Sequence, residues 1–151
     1  MTPSPLALLT PDRVLLDLRA DNETAAIREI TGLLAHDSGV ADAGRLADEV
    51  IERERLSSTS MGSGVAFPHA RTSLVKEIVT AVGRSAVGVP FGTKRELVHF
   101  VFIIGTPPDR APQYLAFVGT LARLLRAESN RQKLLAAPTP AAFVAALRAA
   151  A

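Results

Sequence analysis

The sequence contains no cysteine. Disulfide stapling, thiol catalysis and Cys-based zinc sites are therefore excluded, and a reducing cytoplasm suits such a chain. Tryptophan is also missing and aromatic residues are only 5% of the chain, so its core must be built from Leu, Val, Ile and Ala. No run of five like charges occurs, and a net charge of +2 gives no electrostatic case for a nucleic-acid partner. No apolar run is long enough to span a bilayer. The N-terminal Met-Thr-Pro-Ser-Pro-Leu-Ala-Leu-Leu lacks the basic and long apolar regions of a signal peptide. These absences lead to the expectation of a soluble cytoplasmic protein without membrane insertion.

What is present suffices for a core. Apolar residues make up 48% of 151 positions, which fits one folded domain over residues 1–151 rather than a disordered chain. Residues 1–12 hold three prolines and read as an extended lead-in. Arg13 to Leu18 is a short β-type segment, with Asp21 and Asn22 as turn or N-cap residues. From Glu23, the spacing of Ala26, Ile27, Ile30, Leu33 and Leu34 is helical, and Gly39 closes that region. A second helix starts near Asp42, with Leu46, Val50 and Ile51 inward and a charged last turn, Glu52 to Arg55.

Lys76 to Ser85 suits a strand, and Gly88, Pro90 and Gly92 read as a turn. Leu97 to Ile104 is apolar on nearly both faces, as a central strand requires. A rigid loop, Gly105 to Pro112, follows it. Gln113 to Arg126 is helical, with Leu115, Val118, Leu121, Ala122, Leu124 and Leu125 available for burial. Ser129 reads as the cap of a short helix through Leu135. Thr139-Pro140 opens a last helix with Phe143, Val144 and Leu147 inward. This order of strands and helices is that of one layered α/β domain.

The chemistry concentrates between Glu52 and Arg71. Ser57 to Gly64 is a run of Ser, Thr and Gly that leaves many backbone N–H groups uncovered, which suits an anion such as phosphate. His69 follows a proline that fixes its approach. Neutral imidazole is a nucleophile near pH 7, and Arg53, Arg55 and Arg71 lie close in sequence to stabilise a transferred phosphoryl group. Other chemistries fit worse. Met61-Gly-Ser-Gly is not a Gly-x-Ser-x-Gly nucleophile elbow. The loop lacks the Gly-Lys-Ser/Thr ending of a nucleotide-binding loop. Three scattered histidines without a carboxylate pattern do not make a catalytic metal site. His36, at a helix end, and His99, inside the central strand, read as structural.

The segment from Arg53 to His69, Arg-Glu-Arg-Leu-Ser-Ser-Thr-Ser-Met-Gly-Ser-Gly-Val-Ala-Phe-Pro-His, resembles the active-site segment of enzyme IIA domains of the fructose/mannitol type. These belong to the phosphoenolpyruvate-dependent sugar phosphotransferase system and include the nitrogen-regulatory branch. The resemblance extends over nearly the whole chain. It implies a three-layer α/β/α domain with a small mixed sheet. It implies a phosphocarrier, with His69 accepting a phosphoryl group from the histidine-containing phosphocarrier protein. The group then passes to an enzyme IIB or serves as a regulatory signal towards target proteins. Arg53 would help bind the phosphoryl group, and Ser58, Thr59 and Gly64 would shape its pocket. The exchange needs no metal and no diffusible cofactor.

One departure stands out. The family commonly carries a second histidine at the start of the helix after the Pro-rich loop. Aligning Gly105-Thr-Pro-Pro and the downstream Leu pattern puts Tyr114 there. A phenol donates a hydrogen bond but carries no positive charge. Two readings of Tyr114 stay open, a retuned site or simple packing. The same departure keeps open a non-catalytic, anion-binding or protein-interaction domain of this fold, akin to cytoplasmic domains of anion transporters.

Overall fold

The structure, a computed structural model, describes residues 5–151. Turns of 3-10 helix at Pro5–Leu8 and Pro11–Arg13 lead into β1 (Val14–Leu15), then α1 (Glu23–Thr31) and α2 (Ala43–Leu56). The strands β2 (Val65–Ala66), β3 (His69–Arg71), β4 (Val79–Phe91) and β5 (Glu96–Thr106) follow. The chain closes with α3 (Ala111–Arg126), α4 (Glu128–Ala136) and α5 (Pro140–Ala149).

β4 and β5 pair antiparallel and form the centre of a five-stranded sheet ordered β1-β4-β5-β2, with β3 also pairing to β5. β1 runs parallel to β4, and β2 and β3 run parallel to β5. The apolar run in β5 divides its residues between the two faces. Phe100, Phe102 and Ile104 pack with Phe117, Leu121, Leu125, Leu134, Phe143 and Leu147 of α3, α4 and α5. Val101 and Ile103 pack with Ala26, Ile27 and Ile30 of α1 and Leu46, Val50 and Ile51 of α2. Helices thus cover both faces, and the three-layer α/β/α arrangement expected from the sequence is the one observed. Gly83 permits the closest approach, since a Cβ there would lie 2.7 Å from the Ile30 side chain.

The expected caps form at three helices. Asn22 accepts from Ala25 N–H at 2.9 Å, Asp42 from Arg45 N–H at 3.0 Å and Thr139 from Ala142 N–H at 3.0 Å. Ser129 is different. It lies inside α4, whose N-cap is Ala127 without a side-chain bond. Elsewhere, α1 ends at Thr31 and continues as a 3-10 turn to Leu34, well before Gly39.

Other expectations need correction. Residues 1–4 lie outside the described part of the chain, but the rest of the lead-in is wound into 3-10 turns. Its Leu6 and Leu9 are buried against the α3–α5 layer. Gly88 and Pro90 do not form a turn, because β4 runs on to Phe91. The register slips between Arg84 and Val89, a bulge that holds Gly88 at φ +91°. Pro90 is tolerated because β1 reaches only to Val82 and Gly83, leaving that side of β4 without a ladder to interrupt. The turn is at Gly92–Arg95 instead. Gly105 and Thr106 belong to β5, so the proline loop starts at Pro107. On α3, Leu115 is 64% exposed, and Phe117 takes the buried position with Leu121 and Leu125.

The hydroxyl of Thr80, in the middle of β4, is buried with no hydrogen-bond partner among the described residues. Thr80→Val keeps the shape and removes the desolvated hydroxyl, so it should stabilise the fold by about 1 kcal/mol. Urea unfolding should show a higher midpoint with an unchanged slope; a lower midpoint would mean that the hydroxyl is satisfied.

Candidate active site

His69 opens β3 and pairs with Ile104, near the C-terminal end of β5. Pro68 cannot donate to the ladder, yet its carbonyl accepts from Ile104 N–H at 3.0 Å, which keeps β2 and β3 aligned across the gap. The His69 imidazole is half-buried. Its Nδ1 lies 3.0 Å from the carbonyl oxygen of Phe67. A carbonyl only accepts, so Nδ1 carries the proton and Nε2 keeps its lone pair.

Three separated elements meet around this ring. Arg53 comes from the last turn of α2. It lines a cavity of about 360 Å³ with Glu49, Glu52, Leu56, His69, Ala70 and Arg71. Glu49, Glu52, Arg53 and Leu56 share one face of α2 by their helical spacing, flanking the buried stripe of Leu46, Val50 and Ile51. Tyr114 comes from the first turn of α3, with its ring centroid 5.1 Å from that of His69 and the planes tilted by 43°. The Arg53 guanidinium makes no hydrogen bond or ion pair among the described residues, whereas Arg55 beside it pairs with Glu52 at 3.5 Å. Arg71 reaches the Pro108 carbonyl at 3.4 Å and so ties β3 to the proline loop.

Burial holds the His69 pKa below the ordinary imidazole value of 6.5. The Phe67 carbonyl works against that shift, and the Arg53 charge adds to it. The ring is therefore neutral and nucleophilic at pH 7. Burial also raises the Tyr114 pKa, with Arg53 opposing, so the phenol keeps its proton. Because the folded His69 pKa is depressed, the unfolded chain binds more protons below about 6.5. The stability that His69 contributes is full above that value and is lost as pH falls through the folded pKa. An NMR titration of the His69 ring should give a midpoint below 6.5; a midpoint above it would show that the partners outweigh burial.

The residues expected to shape a phosphate pocket are placed differently from one another. Thr59 does not turn to the imidazole. Its hydroxyl donates to Glu54 at 2.6 Å and accepts from Phe67 N–H at 3.1 Å. Ser58 faces the β4–β5 turn, where a Cβ on Gly92 would come within 3.0 Å of its hydroxyl. Gly64, at φ +76°, lies against His99, and its carbonyl accepts from both His99 N–H and Phe100 N–H. Arg53, His69 and Tyr114 are thus gathered, while Ser58, Thr59 and Gly64 sit around the loop behind them. His99 points elsewhere, with Nδ1 2.8 Å from the Ser85 carbonyl.

A family model described as phosphoenolpyruvate-dependent sugar phosphotransferase system, EIIA 2, matches residues 7–150. The chain belongs to this EIIA family. It is 28% identical over 137 residues to a nitrogen regulatory protein of Pseudomonas aeruginosa, covering 90% of this chain and 89% of that one. It is 30% identical over 138 residues to the fructose-specific EIIABC component of Bacillus subtilis, covering 91% of this chain but only 22% of that longer protein. The nitrogen regulatory protein IIA-Ntr of Neisseria meningitidis superposes with a TM-score of 0.80 at 25% identity, covering 94% of this chain and 97% of that one. Membership makes this an EIIA domain of a phosphocarrier family. Among the described residues, no helix is long and apolar enough to cross a membrane, and no cluster of His, Cys, Asp or Glu fits a metal ion.

One residue of this EIIA domain escaped the sequence reading. Glu54 is 3% exposed, on the core side of α2. Burial raises its pKa, against the hydrogen bonds from the Thr59 hydroxyl and backbone N–H. The signal was available, since position 54 continues the spacing of Leu46, Ala47, Val50 and Ile51.

Proposed function

We propose that this EIIA domain is a phosphohistidine carrier, charged on Nε2 of His69 by the phosphohistidine of the histidine-containing phosphocarrier protein. One observation carries the reading. The Phe67 carbonyl holds the Nδ1 proton and leaves Nε2 as the nucleophile, beside a cavity walled by an arginine whose side chain is unpaired among the described residues. In the transfer, the Nε2 lone pair attacks phosphorus and the P–N bond of the donor's phosphoimidazolium, protonated on its other ring nitrogen, breaks. The accepting ring becomes an N-phosphoimidazolium, with Nδ1–H still donating to Phe67, and the donor ring leaves neutral. Arg53 meets the phosphoryl oxygens through its planar fork of donors. Its fixed charge stabilises the transition state.

The group then goes to an enzyme IIB or is kept as a signal to target proteins. A solved complex of enzyme IIA-mannitol with phosphorylated enzyme IIB-mannitol of Escherichia coli has this fold, with a TM-score of 0.80 at 20% identity. The regulatory role is preferred, because a phenol in place of the second histidine is tolerable where flux is not demanded. On this reading the protein works in the cytoplasm beside its donor. Tyr114 is also what favours the rival, a non-catalytic domain of the same fold.

The deciding experiment is incubation with phosphoenolpyruvate, enzyme I and the phosphocarrier protein, read by intact mass. One acid-labile phosphoryl group is expected. An unlabelled protein beside a demonstrably active donor would favour the rival. Tyr114→His should speed turnover by a few-fold if the site is retuned, since an imidazolium adds charge that a phenol lacks; unchanged kinetics would make Tyr114 a packing residue.

A further inference from the structure

A partly buried chain of hydrogen bonds runs from α2 to the imidazole. The Thr59 backbone N–H donates to the Glu54 carboxylate at 2.7 Å, and the Thr59 hydroxyl donates to it at 2.6 Å. The same hydroxyl oxygen accepts from Phe67 N–H at 3.1 Å. On the other side of the Phe67 Cα, the Phe67 carbonyl accepts the Nδ1 proton of His69 at 3.0 Å. We infer that Glu54 is a positioning residue for His69: by orienting the Thr59 hydroxyl it fixes the Phe67 backbone, and with it the carbonyl that selects the ring tautomer and aims Nε2. The inference rests on the carrier reading for its kinetic consequence, but not for the geometry.

The directions of the bonds form a consistent set. A carboxylate only accepts, so the Thr59 hydroxyl must spend its single proton on Glu54. Its lone pairs are then turned to Phe67 N–H, the only arrangement that satisfies both neighbours. Phe67 is otherwise held by stacking on Phe102, with ring centroids 5.7 Å apart. That contact restrains the side chain and leaves the peptide planes to the hydrogen bonds. Glu54 itself stays put because α2 buries it beside Val50 and Ile51. A loop of small polar residues thereby acquires a fixed anchor in a helix. A displaced carbonyl would release Nδ1–H and let the neutral ring place its proton on either nitrogen, and only one of these tautomers has Nε2 free to attack.

The test reads the tautomer directly. Two-bond proton–nitrogen correlation spectra of the ¹⁵N-labelled protein, with no phosphoryl donor present, should show His69 in wild type with Nδ1 protonated. Thr59→Val preserves volume and deletes the acceptor of Phe67 N–H. Glu54→Gln preserves shape and offers a donor where Thr59 donates. Each should shift His69 towards a mixture of tautomers and slow phosphoryl acceptance by about tenfold. Thr59→Ser, which restores the hydroxyl, should recover both. A folded Thr59→Val protein with the wild-type tautomer and rate would overturn the inference, and if Glu54→Gln does not fold, the Thr59→Val and Thr59→Ser pair decides alone. A wild-type protein that never accepts a phosphoryl group, yet whose tautomer shifts in the variants, would sink the carrier reading and leave the positioning role standing.

Discussion

His69→Gln should abolish phosphoryl labelling, and no other histidine should take its place. Glutamine fills similar space and can hydrogen-bond the Phe67 carbonyl, so the fold should stand. Its amide nitrogen has no available lone pair, so the nucleophile is lost outright. The other two histidines cannot substitute. His36 is exposed in a turn beyond α1 and does not line the arginine-walled cavity. His99 sits at the opposite end of β5 from the residues that pair with β3, with its Nδ1 held by Ser85. Labelling of His69→Gln by the complete donor system, read by intact mass, would move the acceptor elsewhere. Stability should lose the pH dependence that His69 imposes below about 6.5, because the variant has no ring to charge on unfolding.

The proposed acceptor and the arginine beside it were legible in the sequence for a physical reason. Arg53 ends a helix and His69 opens a strand, and the Ser/Gly segment between them folds back over a short distance. Residues near in sequence thus stay near in space. Tyr114 is another matter. It reaches His69 from a separate helix, and only the resemblance to enzyme IIA domains pointed to it. A layered α/β domain was legible because the β5 run is continuously apolar and the two helices before it are amphipathic, whereas the three-layer arrangement came from the resemblance to enzyme IIA domains. Gly88 and Pro90 misled because a bulge and an unpaired strand edge admit the same residues as a turn. β3 is three residues long and follows a proline, too short for any periodic signal. The loop side chains were hardest. Composition says that Ser57 to Gly64 is rich in donors, but not which way each one faces. Thr59 faces inward only because a carboxylate is buried behind it, and a charged residue in a charged helix end reads as solvent-facing until its position on the helix is counted.

Removing the Arg53 guanidinium should be nearly as damaging as removing the imidazole, although it would raise rather than lower the His69 pKa. Arg53→Ala takes away a positive charge that helps keep the ring deprotonated, so the His69 titration midpoint should move up. If proton occupancy governed the reaction, that shift would matter only in acid. The larger effect comes from the phosphoryl group itself. Among the described residues, the Arg53 guanidinium is bound to nothing, and Arg53 lines the same cavity as His69. Its donors are thus free to meet the transferring oxygens without breaking an existing ion pair. Loss of a preorganised charged donor of this kind costs about 10²- to 10³-fold in rate. Arg53→Lys should fall between, because an ammonium keeps the charge but not the bidentate fork. The competing view is that Arg53 merely favours the negative end of the α2 dipole, which is worth about 0.3–1 kcal/mol of stability. Arg55 supplies the control. It shares the last turn, is 65% exposed and is already paired with Glu52. Single-turnover transfer from the phosphorylated donor, with unfolding measured alongside, separates the two. Arg53→Ala should lose rate with little change in stability, and Arg55→Ala should change neither by much. Equal, small effects of the two substitutions on rate would place the phosphoryl group away from Arg53.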